Sequence, residues 1–397
     1  MKKGWEITTL GEVCDFVRGP FGGSLKKNCF VEKGYAVYEQ QNAIYNRYEF
    51  RYFIDANKFC EMSRFKVSAG DLIMSCSGTM GKISIVPNSA PEGIINQALL
   101  KLTTKKEIIN TYLKCYIESE TFQDTLKKLA QGVAVENVAS VKILKQIPIP
   151  IPPIKEQEEI VERLDKGFEL IDSLKETAKK NLDNSKELFQ SALREELSPK
   201  EGWETKTLGG VSNDISYGFT SKSSLYKGNA KYLRITDISQ PIIDWDNVPY
   251  CEVSSEEFEK YKLIEGDLVI ARTGATTGFN KIIKEDVNSV FASYLIRFRL
   301  DKSILFPNLI GYCLQSKEWY DYIKIISSGR AAQPGANSKQ LSVFNLSFPK
   351  SIKEQEEIVN SLDRIKGYCE ELEGNYKRVL ELCEELKQGL LREAFSY

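Results

Sequence analysis

The side chains whose types and grouping could do chemistry in this sequence are hydroxyls, amides and bases at glycine-rich turns. Ser77, Thr79 and Lys82 surround the turn Ser77-Gly78-Thr79-Met80-Gly81, and Arg272, Thr273, Thr276 and Thr277 surround Gly274 and Gly278 at the matching place. Glycine lets the backbone turn sharply and approach a ligand, and hydroxyl and basic groups there hydrogen-bond phosphates and base edges of a nucleic acid. A plain surface turn has the same composition. A second pair of loops runs from Gln131 to Asn137 and from Ser327 to Asn337. Gln131 lies in the first, while Arg330, Gln333 and Asn337 of the second carry the donor and acceptor patterns that match guanine and adenine edges. Gln40, Gln41 and Asn42 follow a strand expected over Tyr35–Glu39, and Arg234 and Thr236 follow Lys231-Tyr232-Leu233, at strand ends where polar groups could face a groove. Arg18, Lys26 and Lys27 flank Gly19–Gly23, and Tyr217, Lys222 and Lys227 occupy the matching region. These suit phosphate contacts, although an ordinary surface base reads the same.

Bond-making chemistry is poorly served. There is no histidine in the 397 residues, which removes His-dependent triads, Cys-His pairs and HExxH zinc sites together. No phosphate-binding GxxxxGK[ST] loop occurs; Gly78-Thr79-Met80-Gly81-Lys82 has the wrong spacing. No Asn-Pro-Pro-aromatic or Asp-Pro-Pro-aromatic tetrapeptide of an adenine methyltransferase is present, and Glu204-Thr205-Lys206 is only a fragment of a nuclease carboxylate cluster. The nine cysteines form no C-x-x-C pair and read as reduced thiols of a cytoplasmic protein. Nothing in the opening Met1-Lys2-Lys3-Gly4-Trp5 reads as a signal peptide, and no apolar run is long enough for a membrane span.

The elements that would position these groups are set out by an internal repeat. Trp5-Glu6…Leu10-Gly11 recurs as Trp203-Glu204…Leu208-Gly209, Ile154–Val161…Leu164-Asp165 as Ile352–Val359…Leu362-Asp363, and Leu193-Arg194-Glu195 as Leu391-Arg392-Glu393, each 198 residues on. Gly70-Asp71-Leu72-Ile73 matches Gly266-Asp267-Leu268-Val269 at a spacing of 196. The rest of residues 5–150 and 203–348 diverges heavily, as expected if the junctions share a structural job and the larger segments have different targets.

Each copy ends in a long helix. Pro152-Pro153 forbids helix before residue 154, and Ser198-Pro199 stops it. The second copy spans Lys353 to Phe395. Ile358, Leu362, Ile365, Cys369, Leu372, Tyr376, Val379, Cys383, Leu386 and Leu390 alternate steps of four and three, the pattern of a coiled-coil seam. The first helix carries Ile160, Leu164, Gly167, Ile171, Leu174, Ala178, Asn181, Ser185, Leu188 and Ala192 at the same places. Its smaller seam suits antiparallel packing against the larger one, with Asn181 either fixing register or solvated. Residues 154–197 and 352–397 each carry net charge −4, against +5 for 1–153 and +2 for 198–351. Acidic helices suit protein docking better than DNA, though a solvated face has the same composition. Tyr112, Tyr116, Phe122, Tyr312, Trp319 and Tyr322 fall at helical spacing and are expected in cores rather than stacked on bases.

The Trp-Glu…Leu-Gly opening, the Gly-Asp-Leu element and the Pro-Pro-Ile-Lys-Glu-Gln-Glu-Glu-Ile junction together resemble the specificity subunit of type I restriction-modification enzymes, over essentially the whole chain. The second copy departs from the pattern, with Pro349-Lys350-Ser351 in place of the double proline. The resemblance implies an α+β architecture of two pseudo-repeated target recognition domains, 1–153 and 198–351, joined by spacer helices over 154–197 and 352–397 in an antiparallel coiled coil. It implies that each domain reads one half of a split, asymmetric site in double-stranded DNA and that the helices fix the gap. Two modification subunits, which bind S-adenosylmethionine and methylate adenine, would dock on the helix flanks. Restriction subunits, which use ATP, would join them. The chain itself would be non-catalytic and would bind no S-adenosylmethionine, ATP, Mg²⁺ or other metal. The alternative is a coiled-coil protein-interaction scaffold without DNA specificity, which a salt-sensitive gel shift would separate.

Overall fold

The computed structural model describes residues 4–21, 23–76, 81–130, 141–327 and 335–396. The chain divides into two compact units, residues 1–179 with 378–397 and residues 180–377. These boundaries cut through both long helices, Ile154–Glu196 and Ile352–Ala394, and so differ from the four segments expected from sequence. The reason is packing, because each unit takes in the head of one helix and the tail of the other.

In the first unit, Cys14–Arg18, Leu99–Thr104, Leu72–Ser75 and Ile83–Ile85 form an antiparallel four-stranded sheet in that order. A second sheet orders Phe53–Ile54, Tyr35–Tyr38, Gly93–Ile95 and Lys66–Val67, with one parallel pairing, Tyr38 beside Ile95. The strand Glu6–Thr9 pairs with Pro148–Ile151, Glu6 opposite Ile151. A two-stranded ribbon leaves an outer edge on which prolines lose no ladder bond. The Pro148 and Pro150 carbonyls accept the hydroxyls of buried Tyr116 and Tyr112, both at 2.8 Å.

The second unit repeats this plan. Ser212–Tyr217, Leu295–Leu300, Asp267–Ala271 and Asn280–Ile282 form one sheet; Tyr250–Cys251, Ala230–Leu233 and Ser289–Phe291 form the other; and Glu204–Thr207 pairs with Asn345–Phe348. The fourth strand of the first unit's second sheet is reduced here to a single bridge, Lys262 to Val290. Tyr112, Phe122 and Trp319 are fully buried and Tyr116 and Tyr312 nearly so, while Tyr322 packs at the margin of its core.

Two repeated motifs have structural jobs. The buried Asp71 accepts the backbone N–H of Ser68 at 2.8 Å and the hydroxyl of Thr103 at 2.8 Å. Asp267 likewise accepts the N–H of Ile264 at 3.0 Å and pairs with Arg299. The Gly-Asp-Leu element is thus a closed turn ahead of a central strand. The glutamine of Glu-Gln-Glu-Glu is the second. Gln157 is fully buried, accepts from the N–H of Ile109 at 2.9 Å and donates to the carbonyls of Glu107 and Pro152. Gln355 repeats the pattern with Phe306 at 2.7 Å, Ile304 and Pro349. In the second junction Ser351 replaces the proline, and its Oγ accepts the N–H of Glu354 at 3.4 Å, so a side-chain cap stands in for ring rigidity.

Within the first unit the helix segments run antiparallel. A Cβ on Gly167 would meet Leu390 at 2.8 Å, and further along Lys175 pairs with Glu384. Leu391, Ala394 and Phe395 at the tail of the second helix enter the first unit's core, where Phe395 meets the rings of Tyr112 and Tyr116 edge-on at 5.4 and 5.2 Å. In the second unit Ala192 and Leu193 at the tail of the first helix enter the core with Ile358, Val359 and Leu362.

The seam is narrower than the sequence pattern implies. Ile160, Leu164, Ile171, Ala178, Ser185, Ile358, Leu362, Cys369 and Cys383 are buried, whereas Ile365, Leu372, Tyr376, Val379 and Leu390 are half-buried. Leu174, Leu188 and Leu386 are 49, 51 and 53% exposed and lie outside it. A straight helix of 3.6 residues per turn drifts by about 20° per heptad from a strict seven-residue repeat, and two helices packed through small residues cover one face only. Beyond the helix heads, where Ile160 and Ile358 are also buried, one line of each heptad is the more buried and the other flanks it.

Candidate nucleic-acid interface

The second unit brings together groups that lie far apart in sequence. Strand Asp267–Ala271 leads into the turn, which closes where the N–H of Gly278 donates to the carbonyl of Ala271 at 2.8 Å. Gly274 and Gly278 have φ of +74° and +90°, and a Cβ on Gly278 would strike Ile323 at 2.7 Å, so this turn requires glycine. Thr277 and Thr276 donate their hydroxyls to the carbonyls of Gly274 and Thr273 at 2.7 and 3.4 Å. Both threonines therefore use their hydroxyl protons to build the turn.

The other loop class meets this turn. Thr273 bridges Gly335, and the N–H of Ala336 donates to the carbonyl of Arg272 at 2.9 Å. The Arg272 guanidinium lies over the ring of Tyr217, 4.8 Å from its centroid, a contact worth about 1 kcal/mol. The Tyr217 hydroxyl in turn accepts the N–H of Ser338 at 2.9 Å. Burial alone would raise the Tyr217 phenol, but the Ser338 bonds and the charges of Arg272 and Lys339 bring it below its ordinary value. Asn337 does not present its amide oxygen to a base. That oxygen accepts the N–H of Gln340 at 2.9 Å as the N-cap of helix Ser338–Ser342, the use a helix start makes of asparagine. Arg330 and Gln333 lie outside the described residues.

Beside the turn, Arg234 and Thr236 line a cleft of about 340 Å³ with Thr220, Ser221, Ser293 and Tyr294. The Arg272 N–H donates to the carbonyl of Tyr294 at 3.0 Å, which joins turn and cleft into one face. Arg234 is held by both oxygens of Asp237, at 3.1 and 2.9 Å, so its charge is already partly met. Thr236 and Lys222 are exposed. Ser293 and Tyr294 carry no basic or amide signal. Their clue was divergence, since Gln97 and Ala98 stand at the same turn of the first copy.

In the first unit the counterparts Ser77, Thr79 and Gln131 lie outside the described residues. Lys82 is exposed beside them. Arg18 is exposed at the end of its strand, followed by Gly19, whose Cβ would lie 1.8 Å from the Asn96 carbonyl; Tyr217 and Gly218 repeat this crossing. Lys26 and Lys27 are exposed on and beside the short turn Lys27–Cys29. Gln40 and Gln41 are half-buried, and Gln41 donates to the carbonyl of Glu49 at 3.4 Å. Asn42 faces no groove. It is fully buried, accepts the N–H of Glu39 at 2.6 Å and donates to the carbonyl of Arg47. Asp237 fills the same place in the second unit, accepting the N–H of Arg234 at 2.8 Å. Both residues cap the short helix after a strand, which the polar composition at a strand end could not distinguish from an exposed cluster.

Among the described residues no group of acidic, cysteine or histidine side chains could hold a metal ion, and no helix is long and apolar enough to cross a membrane.

Residues 2–184 and 200–382 each match the type I restriction modification DNA specificity domain. The chain is similar to the type I restriction enzyme StySPI specificity subunit of Salmonella potsdam, 23% identical over 100% of this chain and 89% of that protein. It is similar to the EcoKI specificity subunit of Escherichia coli K12 at the same identity and coverage. Among solved structures, a chain from a study of type I R-M complex assembly superposes with a TM-score of 0.75 at 18% identity, covering 99% of this chain and 98% of that one. The HsdS subunit from Thermoanaerobacter tengcongensis superposes with a TM-score of 0.61 at 19% identity, covering 100% and 97%.

Proposed function

The chain belongs to the family of type I restriction modification DNA specificity domains, as a specificity subunit carrying two copies, and from that premise we propose that it reads a two-part, asymmetric site in double-stranded DNA. The observation that carries this reading is one scaffold furnished differently at the same points. Where the second unit has Arg234 at the end of a strand and Tyr294 beside the turn, the first has Glu39 and Ala98. Matching supports under different side chains are what two different half-sites require, since phosphate contacts position a protein and base-edge contacts specify.

The long helices act as a spacer that fixes the gap between half-sites. Their flanks carry Leu170, Leu174, Leu382 and Leu386, each at least 44% exposed, which supports docking of modification subunits; restriction subunits join that core. S-adenosylmethionine, ATP and Mg²⁺ bind those partners, and the assembly works in the cytoplasm. The scaffold alternative accounts for the exposed helix flanks but not for the two differently furnished units.

The test is to co-express the chain with its methyltransferase subunit and read genomic adenine methylation by single-molecule sequencing. Methylation at a two-part site with a fixed gap is expected, and replacing residues 198–351 with those of a relative should change one half only. A continuous or palindromic site, or methylation that persists without this chain, would overturn the reading.

A further inference from the structure

We propose that Arg272 reads a guanine in the half-site of the second unit, an assignment that rests on the DNA-reading function above. The first ground is its surroundings. Arg234, Arg297 and Arg299 of the same unit are answered by Asp237, Asp214 and Asp267. Arg272 has a tyrosine ring instead of a carboxylate, and its buried Nε has no hydrogen-bond partner among the described residues. Arg297 also leaves its Nε unbonded, but its Nη groups reach Asp214 and the Lys262 carbonyl at 2.5 and 2.7 Å. A half-buried guanidinium without an anion is costly to keep, and a ligand that accepts its hydrogen bonds offsets that cost.

The scaffold does not need an arginine there. The N–H of Cys76 donates to the carbonyl of Ala98 at 2.8 Å in the first unit, as the N–H of Arg272 does to Tyr294 at 3.0 Å in the second. A buried thiol fills the same backbone position, so the arginine answers a different requirement.

Rigidity separates base from phosphate. Arg272 is bonded through its N–H to Tyr294 and through its carbonyl to Ala336, and its side chain is stacked on Tyr217, itself anchored to Ser338. A planar fork held this way matches the paired O6 and N7 acceptors of guanine in the major groove. Phosphates are met well enough by exposed lysines such as Lys222, whose charge needs no fixed plane.

The experiment uses the chain co-expressed with its methyltransferase subunit, with methylomes read for the wild type, Arg272→Ala and Arg272→Lys. Exchange of residues 198–351 identifies the half-site concerned. A guanine is expected there, and both variants should lose discrimination at that single position by about 10- to 100-fold while the other half-site stays fixed. Lysine keeps the charge without the fork, so a motif that stays strict in Arg272→Lys but is methylated weakly throughout in Arg272→Ala would mark a phosphate contact and overturn the assignment. A half-site without guanine, or an unchanged motif in both variants, would also overturn it. If Arg272→Ala fails to assemble, Arg272→Lys alone decides. A wild type that writes no two-part site would sink the DNA-reading function itself, an outcome distinct from these.

Discussion

Gln355 sits 2.8 Å from the carbonyl of Pro349, donating to it from inside the protein, and Gln157 repeats the bond to Pro152 at 2.9 Å. Each glutamine also satisfies a second carbonyl and one backbone N–H. Gln355→Leu should therefore strand three backbone groups, the Pro349 carbonyl fully buried and the Ile304 carbonyl and Phe306 N–H partly so, at about 1–3 kcal/mol for the buried one and less for the others. The expected outcome is a lowered thermal transition for the second unit and little change in the first, read by hydrogen exchange on peptides from both. Equal protection in wild type and variant would contradict the clamp.

Tyr217→Phe keeps the ring under Arg272 and removes the hydroxyl that accepts from Ser338. It should retain the methylation motif at somewhat reduced occupancy, whereas Tyr217→Ala should blur one position as the arginine loses its platform. Identical methylomes for both would show that the stack has no part in recognition.

Asn42 and Asn337 should behave as caps. Asn337→Ala costs about 1 kcal/mol of stability as a lost N-cap, and Asn42→Ala costs more, since it strands the Glu39 N–H and the Arg47 carbonyl around a fully buried position. Asn337→Ser, which preserves the cap, should leave both stability and target sequence unchanged. A changed motif in Asn337→Ser would return that residue to the reading surface.

Thiol reactivity should split sharply. Burial pushes the Cys14, Cys76 and Cys115 thiols up to about 12, while Cys60 is exposed. At pH 8 the buried three are almost wholly protonated, and the thiolate is the nucleophile. Iodoacetamide footprinting should modify Cys60 within minutes and these three only after denaturation.

Leu382→Glu with Leu386→Glu changes two exposed residues of one helix flank. Stability should shift by no more than about 0.5 kcal/mol, yet recovery of the methyltransferase subunit in co-purification should fall. Full recovery would place docking elsewhere.

Much of the architecture was legible in the sequence because its signals are local or repeated. The prolines before residue 154 and the identical Ile154–Val161 and Ile352–Val359 stretches mark helix starts without reference to anything distant. What was not legible depends on long-range partners. That Asn42 turns inward while Lys26 stays in solvent is decided by where the Arg47 carbonyl and the Glu39 N–H fall. The meeting of Thr273 with Gly335 joins residues 62 positions apart, which no spacing rule announces. The heptad pattern placed Leu174 and Leu386 in a seam because periodicity records which residues are apolar, not how many neighbours a two-helix contact can cover.

The junction residues have an evolutionary consequence. Gln157, Gln355, Leu193 and Leu391 make the same kinds of contact in both halves of the chain, and they lie in stretches nearly identical from one copy to the other. A recombination crossover within those stretches would deliver a foreign globular body to a seat already shaped for it, with its clamp and its helix tail in register. Under the DNA-reading function proposed above, new target combinations would then arise by exchange rather than by gradual mutation, and the fold need not be rebuilt each time.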